Sequence, residues 1–173
     1  MKRIYALLFV WVLCVSCDYS FDLNDPDVRE FVFRLKNGTY ECYLTSSSGE
    51  RMGLQMPVFQ MKDIPELLEY AADTTHIEDF PINSSSRVSA SHLEDGTYIL
   101  GECLLWIVEG IRLNKVYPSE QPVLIEKTPS GSHCLTGQEV LEVWELYNQW
   151  WVKNQQGDWP DIDPLEGSGY LWW

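Results

Sequence analysis

The stretch LGECLLWIVEGIRL, residues 100–113, sets Leu100, Cys103, Leu104, Ile107, Val108 and Ile111 at helical spacing. An apolar stripe that broad leaves little room for a wet face, so a helix built on it has to be covered on most sides. The rest of the chain must supply that cover. This segment is therefore the expected central helix.

Three other segments carry complete helix grammar. In DPDVREFVFRLKNG, Asp25 reads as N-cap and Pro26 as the first turn, Val28, Phe31, Val32 and Leu35 share a face, and Asn37-Gly38 is the stop, which predicts a helix over 26–36. In KDIPELLEYAADT, Asp63 and Glu66 have capping-box spacing before the stripe Ile64, Leu67, Leu68 and Ala71. TGQEVLEVWELYNQWWVKNQ repeats the box with Thr136 and Glu139 and stops at Gln156-Gly157. Val140, Trp144, Tyr147 and Trp151 form its core face, with Trp150 about 100° from its neighbour.

Elsewhere the signals are weaker. Tyr40 to Leu44 alternates as a short strand or an extended loop would. Residues 73–95 lack periodicity, with Phe80, Pro81 and Ile82 as the expected pins, and YPSEQPVLIEKTPSG is extended and punctuated by proline. The expectation is one all-α or mainly α domain over 26–173, four principal helices with long ordered loops.

The N-terminus fixes the expected address. Lys2 and Arg3 precede an apolar run of 12 residues, Ile4 to Val15, followed by Ser16 and Cys17. A helix crossing the hydrocarbon core needs about 20 residues, so this run is too short to span. Basic, apolar and small residues in that order read as a secretory signal over 1–16. LCVSC resembles a bacterial lipobox, although Cys14 stands where leucine is favoured, and makes Cys17 the residue that would receive the lipid. Residues 17–25 then read as an acidic tether to a membrane.

Removing the leader leaves 157 residues with 10 basic and 26 acidic side chains, a balance of −16. Nucleic acid is excluded as an expected partner, because phosphate binding needs clustered Lys and Arg. Anionic headgroups would repel such a chain too, so the lipid on Cys17 has to hold it. Cys42, Cys103 and Cys134 remain, an odd number that permits one disulfide or three buried thiols.

No nucleophile elbow, P-loop, zincin helix or dinucleotide fingerprint occurs, so no catalytic residue, cofactor or metal is expected. His76, His92 and His133 are far apart in sequence. Asp158, Asp161, Asp163 and Glu166 lie close together, but beside Pro and Gly their ordinary use is in turns. The unusual feature is aromatic: six tryptophans fall between Trp144 and Trp173. Trp150, Trp159, Trp172 and Trp173 could form a sugar platform, or clad the core, where large aromatics dominate the energetics.

DPDVREFVFRLKNGTY, DIPELLEYAADTTHIEDFPIN, LGECLLWIVEGIR and DPLEGSGYLWW resemble an uncharacterised family of small lipoproteins from gut Bacteroides-type bacteria, a domain of unknown function of the DUF4943 type. The resemblance implies an outer-membrane lipoprotein on the periplasmic side or cell surface, with Asp18 and Asp22 as the acidic residues that follow an exported anchor. It implies no activity. The central helix also resembles the second helix of a HEAT-type pair, which implies irregular, loosely HEAT-like hairpins. DTT at 73–75 is similar to an O-glycosylation motif of the same bacterial group and makes Thr74 an acceptor. The functional expectation is a non-enzymatic, lipid-anchored accessory module contacting an envelope protein, with glycan binding through the C-terminal tryptophans as the alternative.

Overall fold

A computed structural model describes residues 21–83, 96–129, 131–157 and 159–173. Among them run α1 (Val28–Lys36), β1 (Tyr43–Thr45), β2 (Arg51–Leu54), α2 (Ile64–Tyr70), β3 (His76–Ile77), β4 (Tyr98–Ile99), α3 (Leu100–Leu113), β5 (Leu124–Thr128), β6 (Gly131–Cys134), α4 (Gly137–Asn154) and β7 (Tyr170–Trp172). These are four α-helices and seven strands in three sheets, with 39% of the described residues helical, so the fold is mixed α/β. The all-α expectation, with its HEAT-like hairpins, is thereby corrected. The strands are two to five residues long, too short for an alternating pattern to show. They pair segments that lie up to 48 residues apart, as Leu124 does with Trp172.

The central helix is where the sequence places it. In α3 every residue from Leu100 to Gly110 is buried, as is Arg112. The chain enters it through the β3–β4 pair, where His76 faces Ile99 and Ile77 faces Tyr98. Its first amides lack a side-chain cap and instead donate to backbone carbonyls, Leu100 N–H to Thr75 O at 2.9 Å and Gly101 N–H to Asp73 O at 2.8 Å. A Cβ on Gly101 would lie 2.2 Å from Ala71 O, so only glycine allows this approach.

α1 covers one side of α3 through an aromatic cluster. Phe31 meets Tyr40 at 5.1 Å, Phe59 at 5.2 Å and Phe80 at 6.4 Å between ring centroids, and Phe80 meets Trp106 at 6.1 Å. The N-cap is Asp27, which accepts from Glu30 N–H at 2.8 Å, while Asp25 pairs with Lys62. The box expected at α2 lies one turn earlier: Asp63 accepts from Gln60 N–H at 2.7 Å within the 3₁₀ turn Met61–Asp63. Phe21 packs on Phe31 at 6.1 Å and Tyr40 at 5.6 Å, and Leu23 O accepts from Val58 N–H at 2.8 Å. Packing thus begins inside the segment expected to be a free tether.

On the other side, α4 lies over the sheet β6-β5-β7. Within the sheet, Glu126 pairs with His133 on β6 and with Tyr170 on β7, and Leu124 pairs with Trp172. A buried network locks these layers together. Glu109 takes two bonds from Arg112, at 2.6 and 2.9 Å, and one from the Tyr147 hydroxyl at 2.9 Å. Arg112 also donates to Pro160 O at 2.9 Å, and the Trp172 indole N–H donates to Tyr147 Oη at 3.0 Å. One helical ion pair thereby joins α3, α4 and the C-terminal strand.

Candidate functional site

Strand pairing creates the main polar constellation. Residues directly opposite in adjacent strands project to the same face, so His133, Glu126 and Tyr170 form a row across the three strands. The first two turns of α4 bring Glu139 and Glu142 onto that row. His133 Nε2 lies 2.9 Å from Glu139 Oε1 and 3.7 Å from Glu126 Oε2, and Tyr170 Oη donates to Glu142 at 2.8 Å.

The capping box sets the orientation of Glu139. Its Oε2 accepts from Thr136 N–H at 2.6 Å and from the Thr136 hydroxyl at 2.7 Å, which leaves Oε1 turned to the imidazole. The backbone bond from Thr136, with the hydroxyl and His133 behind it, holds this carboxyl down at about 2. The bond to Glu139 in turn raises the His133 imidazole. Burial and the bond to Glu142 push the Tyr170 phenol up to about 12. Glu126, His133 and Glu139 each offer a ligand atom, all within 4.8 Å of one another.

A second feature lies behind the sheet. Glu102 is buried in α3 and accepts from Leu124 N–H, and burial, opposed by that bond, raises its carboxyl to about 8. It lines a cavity of about 230 Å³ with His76, Thr97, Cys134 and Thr136. Cys103 is wholly buried and its thiol is pushed up by burial; Cys42 is half-buried.

The tryptophans do not share one surface. Trp150, 4% exposed, packs in the core at 6.0 Å from Tyr147 and 5.9 Å from Trp151. Trp144 is half-buried and donates to Leu68 O at 2.7 Å. The buried face of α4 thus takes in Trp150 and is wider than its predicted stripe. Trp172 and Trp173 are half-buried at the end of β7, and Trp159 opens the 3₁₀ turn Trp159–Asp161. Thr74 is half-buried, 3.3 Å from where a Cβ on Gly137 would stand. Cys17 and His92 lie outside the described residues. Asp163 accepts from Leu165 N–H at 2.8 Å, the turn use expected of it.

The Glu126–His133–Glu139 group matches no sequence motif. Glu139 reads in the sequence as a cap, and the segment that sets Glu126 opposite His133 reads as extended chain punctuated by proline.

No helix among the described residues is long and apolar enough to cross a membrane. No curated protein and no solved structure matches the chain. Residues 22–173 match the family model described as a domain of unknown function (DUF4943), and the chain belongs to that family.

Proposed function

We propose that this is a lipid-anchored, non-enzymatic protein of the bacterial outer membrane that works by contact with another envelope protein. The observation that carries the reading is how few residues of sequence lie between the lipobox cysteine and the first packed side chain. Phe21 is already seated on Phe31 and Tyr40, so only residues 18–20 separate it from Cys17. At about 3.8 Å per step, four steps reach roughly 15 Å. A lipid on Cys17 would hold the domain against the membrane.

The end of the domain nearest that anchor carries exposed apolar side chains. Val58, bonded through its N–H to Leu23, lines a cleft of about 420 Å³ with Met61 and Val116, which are 52%, 47% and 61% exposed respectively. The occupant we assign to it is an apolar segment of a neighbouring membrane-bound protein, which the anchor would keep at high local concentration. The sugar platform has less support, since Trp150 is in the core and the Trp172 N–H is taken by Tyr147.

Cys17→Ala should abolish labelling with palmitate and release the protein from membranes. Equal membrane retention of that variant removes the anchor from the proposal. A photo-crosslinker at Val116 should give one discrete adduct in intact cells, lost in Cys17→Ala. An adduct that survives release from the membrane counts against a membrane-bound partner.

A further inference from the structure

We propose that Glu126, His133 and Glu139 form a surface site for one first-row divalent transition ion, with zinc as the ion the ligand set fits best. The three residues come from β5, β6 and the first turn of α4, and the fold converges them on a single point, the His133 Nε2. Two ligands each about 2.0–2.1 Å from one tetrahedral ion stand about 3.3 Å apart. The 2.9 and 3.7 Å contacts of His133 bracket that separation, and the widest ligand spacing is under 4.8 Å. Rotation of side chains is enough to close the set around an ion.

The surroundings are those of a prepared ligand set. A ligating carboxylate is ordinarily held by hydrogen bonds to its other oxygen, and Glu139 is held so by both the amide and the hydroxyl of Thr136. With its proton on Nδ1, neutral His133 presents Nε2 to the ion, and two carboxylates balance a double charge. Glu142, carried on the same helix one turn on, adds negative potential beside them. Imidazole selects a transition ion over calcium or magnesium, which take oxygen ligands. Side-chain exposures of 46% for His133, 34% for Glu126 and 23% for Glu139 leave the fourth position open to water or to a donor from another molecule. Such an open position distinguishes this arrangement from a closed structural zinc site.

The full-length chain in detergent, stripped with a chelator and titrated with Zn²⁺ by calorimetry, provides the test. The expected result is one equivalent bound, at least tenfold weaker in both His133→Gln and Glu126→Gln, and unchanged in Glu69→Gln on the exposed side of α2. Excess Ca²⁺ or Mg²⁺ should not compete. Weakening of less than tenfold in His133→Gln, competition by Ca²⁺, or no saturable binding overturns the proposal. Co²⁺ supplies a second readout that does not depend on affinity: its absorption should lack a sulfur-to-metal band. The presence of that band would show a cysteine ligand and likewise overturn the site.

Discussion

Two adjacent residues at the start of α3 show how closely its cover is fitted. Gly101 faces the end of α2 with no space for a methyl group, because Ala71 O stands 2.2 Å from the position of the missing Cβ. The obstacle is backbone, so it cannot rotate away. Gly101→Ala should lower stability by about 1–3 kcal/mol or more, which in a domain of this size moves the melting temperature by about 2–4 °C per kcal/mol; an unchanged melt would show that α2 yields. Glu102 poses an electrostatic question. Burial raises its folded carboxyl from 4.5 to about 8, so the folded state keeps a proton that the unfolded chain has already released. Its contribution to stability is therefore full below about 4.5 and is lost as pH rises through about 8. Glu102→Gln keeps an acceptor for Leu124 N–H and cannot ionise. Urea unfolding should find the variant more stable relative to the parent at pH 8 than at pH 4.5, and an equal difference at both would refute the buried, protonated carboxyl.

At the level of elements, the helices were legible and the sheets were not. Local signals define a helix: the box of Thr136 and Glu139 forms as its spacing predicts, with Glu139 N–H donating to Thr136 Oγ1 at 3.4 Å and the Glu139 carboxylate accepting from Thr136 N–H. Thr136→Ala should cost about 0.5–2 kcal/mol, the range for loss of such a cap, seen as a lower denaturation midpoint with unchanged slope. It should also take one bond from the Glu139 carboxylate, that of the hydroxyl, while the bond from the backbone N–H at 136 stays, since one residue serves as both cap and row member. The strands depend on partners distant in the chain. Glu126 lies next to His133 only because β5 and β6 pair in one register, and next to Tyr170 only because the C-terminal strand returns to the other edge of β5. A shift of β5 by one residue would send Glu126 to the face opposite His133 and Tyr170. The turn between β5 and β6 is local to Glu126, but Tyr170 pairs with it from 44 residues away, so the polar row as a whole had no local signature.

At the scale of the whole molecule, the C-terminal segment closes a fold that the four helices alone do not complete. Leu165 is buried, Trp172 packs against the core, and the segment supplies the third strand of the sheet. It also completes the network at the junction of α3 and α4, where Pro160 O accepts from Arg112 and the Trp172 N–H donates to Tyr147. Deleting residues 158–173 removes several large apolar contacts at once, each worth about 1.5–3 kcal/mol, from a total stability of about 5–15 kcal/mol. It also uncovers Tyr147 and one edge of β5. Thermal melts of the full-length and truncated chains should therefore differ by more than 10 °C, on the scale of about 2–4 °C per kcal/mol, or the truncated chain should show no cooperative transition at all. Trp172→Phe removes the indole N–H bond to Tyr147 together with part of the ring's packing, and should cost at least about 0.5–1.5 kcal/mol, the range for the hydrogen bond alone. A truncated chain that melts with the parent would mean the segment is displayed and not structural. In that case Trp172 and Trp173 would be available to a ligand, and loss of glycan-dependent quenching of tryptophan fluorescence on truncation would decide in favour of the sugar platform.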